Sequence, residues 1–179
     1  MSPSISLYIA QTLDGYIARA DGAIDWLAQI DEHDHDYGYA AFYDTVDAVI
    51  MGSTTFEMIH SLGPWPYSDK STFVFTRRSL KTDADNVYFV SGDPQLVLYN
   101  TQFSRFGRLW LVGGSSLIAS CIKKRLVDEF ILTVLPVMLG HGLRLFPSPV
   151  AEEWFELVSC RQYDWGVLQL HYRKKEPSR

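Results

Sequence analysis

The sequence predicts one α/β domain with a largely parallel central sheet that finishes in an antiparallel hairpin. Three observations carry this. Short apolar runs of strand length alternate with segments of helical spacing, the pattern of strand–helix–strand units. Two of those runs, Ala48-Val49-Ile50-Met51-Gly52 and Trp110-Leu111-Val112-Gly113, end in glycine and pass straight into a helix start. Near the C-terminus, 154–163 and 167–173 alternate apolar and polar residues on either side of Asp164-Trp165-Gly166, which predicts a hairpin.

Taken in order, Ile5 to Ala10 is apolar on both faces and predicts a central strand. Asp14-Gly15 marks a tight turn before a second short extended piece through Ala18. Asp21-Gly22 and Asp25-Trp26-Leu27 form a loop and the approach to a helix. From Glu32 to Thr45 the spacing of Tyr39, Phe42, Tyr43 and Val46 is helical. The run His33-Asp34-His35-Asp36 starts that helix. It has no matching ligand cluster elsewhere, so acids at a helix N-terminus are expected there and no metal. After Gly52, Ser53-Thr54-Thr55 opens the next helix. Ser71 to Phe75 is a strand that delivers Thr76-Arg77-Arg78, and Asn86 to Val90 is another. Asp93 caps a helix from Gln95 to Phe103 with Pro94 at its first position. Val127 to Leu135 is a strand stopped by Pro136, and Gly140-His141-Gly142 belongs to a loop.

At 179 residues, 47% of them hydrophobic and 14% aromatic, the chain suffices for one well-filled core. A net charge of −5 argues against nucleic acid or an anionic membrane as partner. The basic tail from Arg173 is expected to be solvated. Cys121 and Cys160, far apart and outside any C-x-x-C, exclude a disulfide scaffold and a cysteine zinc site. The first apolar run is too short and lacks the basic start of a signal peptide, so the cytoplasm is the expected compartment.

The chemistry concentrates at the glycine joints. A glycine at a strand end admits another molecule close to the backbone, and the helix start behind it presents N–H groups and a positive dipole end that suit phosphate. Two such joints suggest a ligand with two phosphates. Ser115 or Ser116 would cap the helix or bond the phosphate. Arg77 or Arg78 would hold a phosphomonoester, since guanidinium offers a rigid fork of donors. The Rossmann fingerprint, the P-loop, the H-x-E/P-C-x-x-C deaminase pattern and the G-x-S-x-G elbow are all missing.

Thr12-Leu13-Asp14-Gly15-Tyr16-Ile17-Ala18, Met51-Gly52-Ser53-Thr54-Thr55-Phe56-Glu57, Phe75-Thr76-Arg77 and Val112-Gly113-Gly114-Ser115-Ser116-Leu117, in this order, resemble the dihydrofolate reductase-like superfamily. The later Leu135-Pro136 and Gly140 to Phe146 resemble its riboflavin biosynthesis branch, in stand-alone form. The resemblance implies a three-layer α/β/α fold and an NADPH-dependent reductase of a riboflavin-pathway pyrimidine phosphate or a pterin. True dihydrofolate reductase activity and an inactive NADP-binding module are the alternatives. It also implies that Gly52, Ser53, Thr54 and Thr55, and Gly113, Gly114, Ser115, Ser116 and Leu117, meet the cofactor phosphates. By the same resemblance Thr76, Arg77 and Arg78 recognise the 2′-phosphate, and Ala10, Ile17 and Ala18 line the nicotinamide pocket. Asp36, with Asp34 as rival, is the implied proton source or substrate acid. Trp26 and Thr133 join it in binding substrate. Relatives of the riboflavin type pair, so a homodimer is expected.

Overall fold

The structure, a computed structural model, describes residues 2–28, 35–146 and 149–175. In chain order its elements are β1 (Ser4–Thr12), β2 (Tyr16–Ala18), α1 (Tyr39–Asp44), β3 (Ala48–Gly52), α2 (Ser53–Ser61), β4 (Ser71–Phe75), β5 (Val87–Val90), α3 (Pro94–Leu98), β6 (Arg108–Gly113), α4 (Ser115–Lys123), β7 (Glu129–Leu135), β8 (Leu143–Arg144), β9 (Phe155–Gln162) and β10 (Leu168–Lys174). Eight strands hydrogen-bond in the order β5-β4-β3-β6-β1-β7-β10-β9, while β2 and β8 form a separate pair. The pairs β1–β6, β3–β6, β3–β4 and β4–β5 are parallel, and β10 runs antiparallel to both β7 and β9. This is the mostly parallel sheet with an antiparallel edge that the sequence predicts.

The chain packs as two compact units, Met1–Leu7 with Val46–Asp128 and Tyr8–Thr45 with Glu129–Arg179. The chain crosses between them inside β1 and at two points without Pro, Gly or Ser enrichment, so the sequence reads as one domain. In the first unit β3 is flanked by β4 and β6, and Ala48, Val49, Ile50 and Met51 are all wholly buried. An apolar run with neighbours on both sides is what a central parallel strand requires. Two acids fix the strand starts: Asp47 accepts from the N–H groups of Gly107 and Arg108 at 2.7 and 2.8 Å, and Asp128 accepts from Ile5 N at 2.8 Å.

Of the boundaries that differ from the sequence expectation, three do so for a clear local reason. Among the described residues of the Glu32–Thr45 segment, the helix runs only from Tyr39 to Asp44. Tyr37 and Gly38 have φ of +52° and +80°, a left-handed pair through which a right-handed helix does not continue. The helix expected from Gln95 to Phe103 is broken into α3 and a 3₁₀ turn at Thr101–Phe103, because the Asn100 side chain accepts from Gln102 N at 3.2 Å and starts a new turn. The strand expected from Val127 begins at Glu129, after Asp128 has turned its carboxylate to Ile5.

Candidate functional site

In the first unit three parallel strands end side by side: β3 pairs Gly52 with Phe75 of β4, and Met51 with Gly113 of β6. α2 follows β3 at once and α4 follows β6 after a single residue, so two nine-residue helices start from neighbouring strand ends. Their N-caps are Gly52 and Gly114, and neither helix start receives a side-chain cap. α3 is made differently, for the Asp93 carboxylate accepts from Gln95 N at 2.9 Å.

Two main chains come into contact at the joints, and Gly114 needs glycine for its positive φ. A Cβ on Gly114, whose φ is +69°, would lie 3.4 Å from Gly52 Cα and 3.6 Å from Thr55 Oγ1. A Cβ on Gly113 would lie 3.3 Å from the same hydroxyl oxygen. Close backbone approach beside two helix N-termini without side-chain acceptors is a cradle suited to anionic oxygens. Ser53, Thr55 and Ser115 are half-buried around it, and Thr54 and Ser116 are exposed. Leu117 is buried, so it offers the cradle its N–H and packs with its side chain.

Thr76 directly follows β4, and its hydroxyl oxygen accepts from Arg78 N at 2.9 Å. The two arginines after it differ. Arg78 Nη2 bonds Glu57 Oε2 of α2 at 2.5 Å, while Arg77 is exposed and its guanidinium bonds no described residue. Arg77 therefore has its whole fork of donors uncommitted, and Arg78 buttresses the turn.

In the second unit the turn after β1 is held by Asp14. Its carboxylate accepts from the Thr12 hydroxyl at 2.5 Å, from Gly140 N at 2.7 Å and from Leu139 N at 3.1 Å. Those bonds, that of Thr12 foremost, hold its pKa below the usual carboxylate value. A Cβ on Gly142 would sit on the Ala18 carbonyl oxygen, so the Gly140-His141-Gly142 stretch is shaped by contact with β2. Arg144 closes the arrangement, with its guanidinium 4.8 Å from the Tyr16 ring centre and Nη2 3.1 Å from the Tyr16 hydroxyl. Ile17 is half-buried in β2 and Ala18 buried.

Ala10 packs against an apolar cluster of Trp26, Tyr37, Leu135 and Val167. Thr133 is buried in β7, and its hydroxyl oxygen accepts from Gln169 Nε2 at 3.2 Å. Asp36 is exposed and lies two residues before Gly38, the N-cap of α1: its two oxygens accept from Gly38 N at 2.8 Å and Ala40 N at 3.1 Å. These bonds, Gly38 first, lower its pKa, so at neutral pH it is an acceptor rather than a source of protons. Asp34 and His33 lie outside the described residues.

Sequence reasoning missed Tyr8, Tyr37 and Gln169. Tyr8 donates its hydroxyl to Tyr37 O at 3.0 Å, and burial pushes its pKa up to about 12. No local pattern announces them. Gln169 shares its face of the strand with His171 and Arg173, so in sequence it reads as part of a polar face.

The pattern of the RibD C-terminal domain family matches residues 3–169. The chain belongs to the RibD C-terminal domain family. The uncharacterized protein YwjB of Bacillus subtilis (strain 168) is 40% identical over 167 residues, 93% of this chain and 95% of that protein. Among solved structures, a Shewanella sp. PV-4 protein provisionally assigned to riboflavin biosynthesis is 29% identical with a TM-score of 0.86, over 98% of this chain and 100% of that one. The Thermotoga maritima diaminohydroxyphosphoribosylaminopyrimidine deaminase/5-amino-6-(5-phosphoribosylamino)uracil reductase matches at 16% identity and a TM-score of 0.74, over 97% of this chain and 57% of its own. Dihydrofolate reductase from Enterococcus faecalis, complexed with NADP(H), gives 17% and 0.66, over 97% of each chain. This RibD C-terminal domain thus has the dihydrofolate reductase-like α/β fold. Among the described residues no helix is long and apolar enough to cross a membrane.

Proposed function

We propose that this chain is an NADPH-dependent reductase of a small heterocyclic substrate, a riboflavin-pathway pyrimidine phosphate or a pterin. The observation that carries the reading is the meeting of Gly52 with Gly114 between two glycine-capped helix starts, beside the uncommitted Arg77. The residues fit a dinucleotide phosphate: main-chain donors for the diphosphate, an arginine fork for the 2′-phosphate. When bound, the cofactor supplies a hydride from its nicotinamide ring.

In this proposal the N–H and hydroxyl groups of Ser53 to Thr55 and of Ser115 to Leu117 hold the diphosphate. Thr76 and Arg77 hold the 2′-phosphate, with Arg78 fixing their turn through Glu57. Ala10, Ile17 and Ala18 shield the nicotinamide from water. Trp26 and Thr133 position the substrate. The ionised Asp36 accepts a hydrogen bond from a substrate N–H, and the completing proton comes from solvent. The protein works as a cytoplasmic homodimer without nucleic-acid or membrane partners. The edge strand β9 supports pairing, since Leu157 and Val158 are exposed on it and Trp154 just before it.

The test is a titration of tryptophan fluorescence with NADPH and with NADH, in the wild type and in Arg77→Ala. The expected result is tight NADPH binding, weaker NADH binding, and loss of the preference in the variant by about 10- to 100-fold. Failure of both nucleotides to bind would remove the reductase reading. Binding without turnover on any pterin or pyrimidine would leave an inactive NADP-binding module, and dihydrofolate turnover blocked by antifolates would identify a true dihydrofolate reductase.

A further inference from the structure

In the second unit, side chains from two strands, a half-buried tyrosine and a buried glutamine, converge on one main-chain oxygen. The Tyr8 hydroxyl of β1 donates to Tyr37 O at 3.0 Å, and Gln169 Nε2 of β10 donates to the same oxygen at 2.7 Å. The Gln169 amide also reaches Thr133 Oγ1 of β7 at 3.2 Å. Gln169 and Thr133 are 8% and 4% exposed, so the network is shielded from water and correspondingly firm. It holds Tyr37 at a φ of +52°, a conformation that a tyrosine adopts only when its surroundings impose it.

The clamp fixes the Tyr37 ring against Trp26, in a cluster where the two are 5% and 6% exposed. Each carries a buried polar atom that no described residue satisfies, the Tyr37 hydroxyl and the Trp26 indole Nε1. Burying one such group without a partner is unfavourable, and two in one apolar cluster ask for an explanation. Nothing has relaxed to relieve them, since the backbone of Tyr37 is pinned from two sides. Ala10 and Leu139 pack against the same cluster, and Leu139 is the residue whose N–H Asp14 holds.

We propose that the Tyr37 hydroxyl and the Trp26 indole N–H are ligand-contacting groups, which recognise the hydrogen-bonding edge of a flat heterocycle. Indole only donates, so the ligand presents a ring carbonyl or ring nitrogen to Trp26; the phenol donates or accepts, so the neighbouring ligand atom is either. Aromatic neighbours suit a flat ring, and Tyr163 stands 4.8 Å from Tyr37 between ring centres. That the heterocycle is the reductase's substrate rests on the function proposed above; the subsite itself does not.

The experiment titrates wild type, Tyr37→Phe and Trp26→Phe with 5,6-diaminouracil and with pterin, and separately with NADPH. Binding is followed on ¹⁵N-labelled protein at the Trp26 indole resonance, identified by its loss in Trp26→Phe, and melting of each free protein is recorded alongside. The expected results are a heterocycle-dependent shift of that resonance and heterocycle binding about tenfold weaker in Tyr37→Phe. NADPH affinity stays unchanged and the free Tyr37→Phe protein melts no lower than wild type, because only an unsatisfied hydroxyl is lost. Unchanged heterocycle affinity in Tyr37→Phe, no heterocycle binding to wild type, or a lowered melting temperature of free Tyr37→Phe would each overturn the proposal. Absence of NADPH binding in all three proteins would instead strike the reductase reading and leave the subsite result standing.

Discussion

Among the described residues, helix starts differ in whether a carboxylate reaches their first N–H groups. α3 is capped by its own N-cap acid, Asp93 on Gln95 N, and α1, whose N-cap is Gly38, has the N–H groups of Gly38 and Ala40 taken by Asp36 from two residues outside it. α2 and α4 begin on glycines with no side-chain cap, at adjoining strand ends where the two main chains touch. A side-chain cap would satisfy a first-turn donor from within, and its bulk would fill the cradle. The difference teaches that the first-turn donors of α2 and α4 are left without a side-chain acceptor, whereas those of α3 and α1 meet a carboxylate.

Putting a side chain at the meeting point breaks the comparison most severely. Gly114→Ala brings a methyl group against Gly52 and Thr55 and forces a positive φ on an L-residue, which costs about 1–2 kcal/mol of stability. It is expected to remove measurable NADPH binding in a fluorescence titration while far-UV circular dichroism stays that of the wild type. Next in size is the contrast of the two arginines. Arg77→Ala loses the preference for NADPH over NADH, whereas Arg78→Ala, which removes an exposed pair with Glu57, changes NADPH affinity by only about 2- to 5-fold. Equal losses in the two variants would mean that the free fork is not the phosphate ligand.

The smallest effect is in acid. The pKa of Asp14 is lowered from 3.8 on folding, so its contribution to stability is whole above that value and fades as the pH falls through the lowered one. Melting temperature followed from about pH 5 to about pH 3 is expected to fall less steeply in Asp14→Asn than in wild type. Parallel profiles would show that Asp14 does not clamp the Gly140 turn in solution.

The two units were unequally legible in the sequence. The cradle of the first unit could be read because its signals are local: a buried run, a glycine, then hydroxyl residues, at Gly52 to Thr55 and again at Gly113 to Ser116. The division of labour between Arg77 and Arg78 could not, since it depends on Glu57, 21 residues away from Arg78. The second unit's site is made of side chains gathered from afar. Gln169 meets Tyr37 across 132 positions and Asp14 meets Gly140 across 126, and no spacing rule reaches so far. Asp36 shows the other difficulty: an acid near a helix start looks the same in sequence whether it awaits a substrate or caps the helix, and here its two oxygens are on Gly38 and Ala40.

The central claim, that uncapped helix starts receive the cofactor's phosphates, is tested most directly by amide chemical shifts of ¹⁵N-labelled protein during NADPH titration. The account predicts large, saturable shifts for Ser53 to Thr55 and Ser115 to Leu117, with Gln95 behind its Asp93 cap unmoved. Binding that leaves those amides in place, or moves Gln95 as far, would contradict it.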